Sequence, residues 1–239
     1  MNNSLIFIII LFVLLTSCFI TDKINIIVPI IIDSGIPGPT LLLIAGTHGN
    51  EPSGTIGLES WVKSDVKLLK GKIIIIPRVN KIGLFLGTRS GYNAFFPIDY
   101  NRNYPSKKFQ PVGDYINYQV AKYVLGADFI IDFHEGWGFS KIDPDSMGSG
   151  IYPSNTDFAI GIGNKLLITI NNTIKDLDKK FTISFDSPRI PNTLDAFAHA
   201  HNKNYILIEI SGQDDIQPLD LRVSQVLLVI NDVLSNLGM

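Results

Sequence analysis

The chain has 239 residues, of which 46% are hydrophobic and 18% are charged, and its 20 basic and 22 acidic side chains give a net charge of −2. This length and apolar content suit one α/β domain with a core of ordinary size and exclude intrinsic disorder. The near-neutral charge, without a basic cluster, argues against a nucleic-acid partner.

The first 20 residues are interpreted separately, as a signal peptide or membrane anchor. Residues 5–15 are almost wholly apolar, which matches a signal-peptide core but falls short of the roughly 20 residues that a transmembrane helix needs. Residues 15–18 (LTSC) resemble a bacterial lipobox, in which Cys18 would carry a lipid. A cleaved signal, an uncleaved anchor and a buried first element remain open. A cleaved signal or an uncleaved anchor predicts that the protein is exported, and is secreted, periplasmic or tethered to a membrane. Membrane contact would then occur only through this segment.

Cys18 is also the only cysteine. The rest of the chain therefore has no disulfide, no thiol nucleophile and no thiolate ligand. Any metal ion bound there must be held by histidine and carboxylate side chains.

Strand and helix patterns alternate along residues 24–239, which we interpret as one domain. Short aliphatic runs, typical of strands buried on both faces, cover residues 24–32, 40–45, 72–76, 128–133 and 205–210. Helical patterns cover residues 52–63, 113–125, 155–177, 192–201 and 218–237. Prolines suit the first turn of two helices (Pro52, Pro218), and polar residues suit the caps of three (Asp114, Asn155, Asn192). This order predicts a sheet with helices on both faces.

Two long segments show no periodicity. Residues 78–111 and 136–154 are rich in glycine, asparagine, proline and aromatic residues. Loops of this length in a compact domain are more often functional than idle.

The ends of two predicted strands carry the residues of a candidate metal site. In open α/β sheets, ligands bind beyond the carboxyl ends of the strands. The strand at 40–45 leads into a glycine-containing turn with His48 and Glu51, and the strand at 128–133 leads into His134. A lone His-x-x-Glu at a helix entry is common. With a third donor after another strand, these residues can supply three ligands of one tetrahedral zinc ion and leave the fourth position open to water, as in catalytic sites.

Glu209 lies inside the aliphatic run at 205–210. A carboxylate in a buried strand costs several kcal/mol unless it is compensated or its pKa rises, which would make it a useful base for a zinc-activated water. The alternative is an edge-strand glutamate that faces solvent.

The long segment at 78–111 contains Arg89 and the pair Asn101 and Arg102. A guanidinium group can hold a carboxylate through two parallel hydrogen bonds and can stabilise an oxyanion. The alternative for either arginine is an ordinary surface position.

Together these residues resemble the zinc carboxypeptidase family, the carboxypeptidase A clan that also includes murein-peptide amidases and the succinylglutamate desuccinylase/aspartoacylase branch. The similarity runs from residue 40 to residue 212, in the order His-x-x-Glu, Arg, Asp-x-Asn-Arg, His, Glu. The resemblance implies a three-layer α/β/α fold with a mixed, mostly parallel central sheet and one zinc ion per chain.

The resemblance also implies a role for each residue. Three match the family's zinc ligands: His48, Glu51 and His134. Glu209 matches the general base, and Asn101 with Arg102 matches the pair that binds the substrate's terminal carboxylate. Arg89 resembles the arginine that polarises the scissile carbonyl. Asp99 matches a carboxylate that orients a zinc-bound histidine, a role with its own physical rationale.

The substrate is less well specified by sequence than the reaction. The turn at 47–52 and the segment 192–209 look more like the aspartoacylase branch, whereas residues 87–89 and 101–105 look more like the peptidases. We expect a zinc hydrolase that cleaves an amide bond next to a free carboxylate, with a peptide substrate favoured by export. The alternatives are an N-acyl-amino-acid deacylase and a catalytically silent carboxylate-binding module on the same fold.

Several other residues are weaker candidates for the site. Tyr152 is a guess for the family's substrate-closing tyrosine. Glu135 should point away from His134 if the strand continues. The two histidines at 199 and 201 are spaced to face different sides of a helix and are expected to be surface or core residues. Trp137 and Phe139 are interpreted as packing residues or pocket walls.

Overall fold

The computed structural model describes residues 26–93, 96–104, 115–185 and 189–239. The strands are β1 (Ile30–Asp33), β2 (Thr40–Ala45), β3 (Lys72–Ile76), β4 (Gly91–Asn93), β5 (Phe96–Ile98), β6 (Phe129–Gly136), β7 (Gly150–Pro153), β8 (Thr182–Ile183) and β9 (Asn204–Ser211). The helices are α1 (Pro52–Val62), α2 (Lys81–Leu86), α3 (Tyr115–Gly126), α4 (Asp157–Asn171), α5 (Leu194–Ala200) and α6 (Leu219–Leu237). Short 3₁₀ helices cover Tyr100–Arg102, Leu177–Lys179 and Gln213–Asp215.

The predicted leader at 1–20, including Cys18, and the predicted cap Asp114 lie outside the described residues. Within the described residues, no helix combines the length and the apolar character needed to cross a membrane.

Seven strands form the central sheet in the order β1-β3-β2-β6-β9-β7-β8. The four central strands β3, β2, β6 and β9 run parallel, whereas β1 pairs antiparallel with β3 and β7 pairs antiparallel with β9. Strands β4 and β5 form a separate antiparallel pair. The predicted mixed, mostly parallel sheet is therefore confirmed.

Helices cover both faces of the sheet because successive side chains of a strand point to opposite faces. In β2, Leu41 and Leu43 pack into the cluster formed with α1, α4 and α6. Leu42 and Ile44 pack into a second cluster with α3 and α5. Two apolar layers on one sheet explain why the strand is a continuous aliphatic run, and they confirm the three-layer α/β/α architecture.

Several predicted boundaries are correct and others are wrong. Strands β2 and β3 have the predicted bounds. Strand β1 begins at Ile30, so residues 26–29 of the predicted run are not strand, and residues 24 and 25 lie outside the described residues. Helix α4 ends at Asn171, well before residue 177. Strand β6 continues to Gly136, so His134 lies within the strand and not after it.

Three predictions about the starts of helices also need correction. Helix α6 begins one residue later than predicted, so Pro218 is its cap rather than part of its first turn. The caps of α4 and α5 are Thr156 and Thr193, whose hydroxyl groups accept hydrogen bonds from backbone N–H groups of the first turn. The predicted caps Asn155 and Asn192 each lie one residue earlier.

The segments predicted as long loops contain short elements. Helix α2, the β4–β5 pair and one 3₁₀ helix lie within 78–111, and β7 lies within 136–154. These elements have three to six residues, too few to establish a period. Helix α2 packs against the turn that follows β2, where a side chain at Gly49 would overlap the backbone of Gly83.

Candidate metal centre and active site

Three parallel strands end side by side at one edge of the sheet. The register pairs Ala45 of β2 with Phe133 of β6, and His134 of β6 with Glu209 of β9. The turn at residues 46–51 extends from β2 at the same edge, immediately before α1. The parallel topology thus brings together side chains that are far apart in the sequence.

His48, Glu51 and His134 form a buried cluster. Nδ1 of His48 lies 2.8 Å from Oε1 of Glu51, and Nδ1 of His134 lies 2.9 Å from Oε2. The two Nδ1 atoms are 3.2 Å apart. All three side chains are buried, and each oxygen of Glu51 faces the Nδ1 atom of one histidine.

The spacing of these donor atoms fits a tetrahedral ion. Zinc binds histidine nitrogen and carboxylate oxygen at about 2.0–2.1 Å, which places neighbouring ligands of a tetrahedron about 3.3 Å apart. The observed contacts of 2.8, 2.9 and 3.2 Å are up to about 0.5 Å shorter than that value, and one donor atom from each residue lies within 4.8 Å of the other two. Among the described residues, this is the only group of three His, Cys, Asp or Glu side chains whose donor atoms approach one another in this way.

A carboxylate lies behind each histidine. Nε2 of His48 is 3.1 Å from Oδ1 of Asp99, and Nε2 of His134 is 3.3 Å from Oδ2 of Asp132. A carboxylate hydrogen-bonded to the outer nitrogen, as Asp99 is to His48, fixes the ring orientation and leaves the inner nitrogen free to bind a metal. Asp132 contacts His134 at ion-pair distance without hydrogen-bond geometry, and its negative charge favours protonation of the outer nitrogen. Asp99 is a predicted member of the site, whereas Asp132 is not.

Opposite charges in the cluster shift its pKa values strongly. Burial would raise the pKa of Glu51, but the two imidazoles beside it hold that pKa well below its ordinary value. Burial would lower the pKa of His134, but the carboxylates of Asp132 and Glu51 raise it well above its ordinary value. Glu51 therefore carries negative charge at neutral pH, as a metal ligand requires.

Glu209 lies on β9 next to this cluster. Burial raises its pKa to about 7, with Glu51 acting in the same direction and the imidazoles of His134 and His48 in the opposite direction. The side chain lines the same cavity as His48 and Glu51. A carboxyl group that titrates near neutral pH can both accept and return a proton.

Arg89 is held against the cluster by two carboxylates. Its Nε donates to Oδ2 of Asp99 over 3.2 Å, and Nη1 donates to Oε1 of Glu51 over 3.4 Å. Asp99 also accepts a hydrogen bond from the backbone N–H of Asn101. These contacts place the positive charge of Arg89 beside the cluster. That Arg89 polarises the scissile carbonyl of a substrate stays a prediction.

Asn101 and Arg102 lie on the 3₁₀ helix at the rim of the cavity. Oδ1 of Asn101 accepts a hydrogen bond from the backbone N–H of Leu194 over 2.9 Å, which ties the 3₁₀ helix to α5. Arg102 is exposed, and its guanidinium donates to the carbonyl of Asn101 over 2.7 Å. Among the described residues, no carboxylate pairs with Arg102.

A cavity of about 400 Å³ opens over the cluster. Its walls include Arg89, Arg102, Tyr152 and Glu209, and beyond them an ion pair formed by Arg189 and Asp195. Because Arg189 and Asp195 are mostly buried, the cavity carries paired charges as well as the exposed charge of Arg102.

The structure brings Tyr152, the guessed closing residue, into this cavity. Its hydroxyl donates to the carbonyl of Met147 over 3.1 Å. Burial and the nearby Glu209 raise the pKa of Tyr152 to about 12, so the hydroxyl keeps its proton at neutral pH.

The weaker candidates for the site mostly lie where the sequence analysis predicts. The side chain of Glu135 points away from His134 and forms a buried ion pair with Arg222. The histidines at 199 and 201 are exposed. Trp137 lines the cavity, whereas Phe139 is buried away from its wall.

Sequence reasoning missed Asp132, Gln213 and the pair Arg189 and Asp195. A signal exists for Asp132, because an aspartate two residues before His134 in a buried strand must share its face. No sequence signal marks the others, since they reach the cavity through turns and a short helix.

Residues 37–144 match the sequence model of the succinylglutamate desuccinylase/aspartoacylase catalytic domain. This stretch contains the three-residue cluster together with Arg89, Asp99, Asn101 and Arg102, but Glu209 lies beyond it. The match over these residues supports the resemblance to the zinc carboxypeptidase clan, which includes this catalytic domain as a branch. No curated protein sequence matches the chain.

Solved structures share the fold at low sequence identity. The tripeptide-bound Cell Shape Determinant protein Csd4 of Helicobacter pylori has a TM-score of 0.73 and 20% identity over 88% of this chain and 55% of that one. The mDAP-bound form of Csd4, described as a D,L-carboxypeptidase, has a TM-score of 0.72 and 21% identity over 86% and 54%. A succinylglutamate desuccinylase from a Silicibacter species has a TM-score of 0.62 and 17% identity over 89% and 60%. The chain thus spans little more than half the length of these proteins.

Proposed function

We propose that this chain is a zinc-dependent hydrolase that cleaves an amide bond next to a free carboxylate, in the manner of a metallocarboxypeptidase, with one zinc ion per chain. The observation that carries the proposal is the convergence of His48, Glu51 and His134 beside Glu209. Three ligands and an adjacent base are the minimum that a catalytic zinc site requires.

The chemistry that a zinc ion would supply at this cluster is positive charge, which makes water more acidic and polarises a carbonyl oxygen. Glu209 would accept the proton of the attacking water and then give it to the leaving amine. Its raised pKa of about 7 suits both transfers at neutral pH. Arg89, beside the cluster, would donate hydrogen bonds to the carbonyl oxygen as negative charge develops there.

Arg102 and Asn101 would bind the carboxylate of the substrate. The guanidinium of Arg102 is exposed at the cavity and is free of any carboxylate among the described residues. A guanidinium can hold a carboxylate through two parallel hydrogen bonds. This contact would place the adjacent amide bond over the cluster and restrict hydrolysis to the end of the chain.

A peptide is the favoured substrate class. The Csd4 structures hold a tripeptide and mDAP, and the cavity here carries a charged pair, Arg189 and Asp195, that could contact a polar substrate side chain. We propose export through residues 1–20, which would give the enzyme access to peptides outside the cytosol, including those of a cell wall.

The second candidate is an N-acyl-amino-acid deacylase. The match of residues 37–144 to the succinylglutamate desuccinylase/aspartoacylase domain favours it. The same metal cluster and base would serve both reactions, because both break an amide bond next to a carboxylate-bearing amino acid.

The proposal is tested by metal analysis and a substrate screen on one preparation. Wild type should contain close to one zinc ion per chain, and His48→Ala should lose it, whereas the exposed-histidine control His201→Ala should keep it. Release of amino acids from peptides would support the peptidase, and release of acetate or succinate from acylated amino acids would support the deacylase. Protein that takes up no zinc even after reconstitution would overturn both and favour a binding module.

A further inference from the structure

Glu51 receives hydrogen bonds from residues outside the three-residue cluster. Its Oε2 accepts the backbone N–H of Glu135 over 3.1 Å, and its Oε1 accepts Nε2 of Gln213 over 3.4 Å. The same Nε2 donates to the backbone carbonyl of Glu135 over 2.7 Å. One amide group therefore joins Glu51 to strand β6, next to His134.

Gln213 is held in a turn with an unusual backbone. The turn follows β9, and its residues Asp214 and Asp215 have φ angles of 58° and 51°, in the left-handed region that side chains disfavour. A side chain at Gly212 would overlap the carboxylate of Glu135. Such conformations persist only where the surroundings impose them, and they concentrate at functional sites.

Arg222 on α6 contacts this turn at two points. Its buried guanidinium pairs with Glu135, donates to the carbonyl of Gly212 over 3.1 Å, and donates to Asp215 over 2.7 Å. Glu135 in turn accepts the backbone N–H of Ser53 over 2.6 Å, two residues after Glu51. The network thus fixes both the turn that carries Gln213 and the start of the helix that follows Glu51.

We propose that Gln213 is a positioning residue for the metal site: its amide fixes the rotation of the Glu51 carboxylate, and the turn anchored by Arg222 holds that amide in place. The inference rests on the proposed function, since it assumes that Glu51 binds a metal ion. Without Gln213, the Glu51 carboxylate keeps its cluster partners but loses a donor that restricts its orientation. Its loss should therefore lower the affinity for the metal ion and alter the coordination geometry.

Gln217 provides a matched control. It lies in the same region and donates its Nε2 to the carbonyl of Ser211 over 2.7 Å. It is buried and makes no contact with Glu51. Loss of the amide at either position removes one hydrogen bond to a backbone carbonyl, but only Gln213 reaches the cluster.

The experiment compares Gln213→Met, Gln213→Asn and Gln217→Met with wild type in the full chain. Zinc affinity is measured by competition with a chelator, coordination by the visible spectrum of the cobalt-substituted protein, and stability by thermal unfolding of the metal-free protein. We expect both Gln213 variants to lose roughly 10–100-fold in zinc affinity and to change the cobalt spectrum. Gln213→Asn keeps the amide group but shortens its reach. Because asparagine is well tolerated at a partly exposed position, this variant remains informative if Gln213→Met does not fold.

Gln217→Met should lower the unfolding temperature and leave zinc affinity and the cobalt spectrum unchanged. Wild-type affinity and spectrum in the Gln213 variants would overturn the inference while the proposed function stands. Equal losses of affinity in the Gln213 and Gln217 variants would also overturn it, because the role would then be structural. A wild-type chain that binds no zinc would overturn the proposed function itself.

Discussion

His134 and Glu209 occupy paired positions on the adjacent parallel strands β6 and β9. The pairing places the proposed base at the same sheet edge as a proposed metal ligand. The burial that comes with a central strand raises the pKa of Glu209 to about 7. The pairing of His134 with Glu209 therefore determines where the proposed base lies. It also places Glu209 in the buried setting that sets the pH range in which its carboxyl group ionises.

The first prediction concerns the role of Glu209 as a base. Glu209→Gln keeps the size of the side chain but removes its ability to accept a proton. We expect hydrolysis to fall by about 10²–10⁴-fold with zinc content unchanged, measured by steady-state kinetics and elemental analysis on the same sample. Full activity in a zinc-loaded variant would contradict the assigned role.

The second prediction follows from the pKa of Glu209 in metal-free protein. Because the folded-state pKa of about 7 exceeds the ordinary value of 4.5, ionisation of Glu209 opposes folding. The resulting loss of folding free energy is absent well below pH 4.5, grows as pH rises towards 7, and is complete above about pH 7.

Glu209→Gln removes this loss of folding free energy. We therefore expect the metal-free variant to be more stable than metal-free wild type at about pH 8, by on the order of 1–3 kcal/mol, and the difference to disappear near pH 4. Urea unfolding in the presence of a chelator at both pH values measures it. A difference that shrinks as pH rises would have the wrong sign for a buried carboxylate.

The third prediction concerns Asp132. It is fully buried, accepts the hydroxyl of Tyr205 over 2.9 Å, and lies 3.3 Å from Nε2 of His134. Asp132→Asn should weaken zinc binding by roughly 10–100-fold, because a neutral amide no longer favours protonation of the outer nitrogen. Chelator competition measures the effect.

Tyr205→Phe is the control for Asp132→Asn, since it removes a partner of the carboxylate but leaves its charge. It should weaken zinc binding less. Equal effects in the two variants would indicate that packing around Asp132, rather than its charge, matters.

The fourth prediction concerns recognition of the substrate carboxylate. Arg102→Ala should raise KM for substrates with a free terminal carboxylate by roughly 10–100-fold, corresponding to the loss of a charge-assisted hydrogen bond. Substrates with an amidated terminus should be affected little. Arg78→Ala, which removes an arginine paired with Glu59 outside the cavity, should leave KM unchanged. An equal loss for free and amidated substrates would argue against carboxylate binding by Arg102.

Sequence alone identified the sheet core and much of the candidate site. The runs at 40–45 and 72–76 gave correct strand bounds, because a strand buried on both faces must be continuously apolar. His48 and Glu51 were recognisable because their spacing is local and lies in a turn between a strand and a helix. The same local reasoning put His134 directly after a strand and Glu209 inside one, and the structure places both within strands.

The predicted caps of α4 and α5 are wrong by one residue, because asparagine and threonine are both good caps and lie side by side at each helix start. The structure assigns the caps to Thr156 and Thr193. Short elements such as β7 were missed because their stability comes from pairing with a neighbouring strand rather than from their own pattern.

What the sequence determined by itself is therefore local: which segments are buried strands, which turn carries His48 and Glu51, and which residue types are available to bind a metal ion. Tertiary structure alone decided that Gln213 reaches Glu51 and that Arg189 and Asp195 share the cavity. Those contacts depend on strand order, register and the path of turns. These follow from packing of the whole domain, so no short stretch of sequence encodes them.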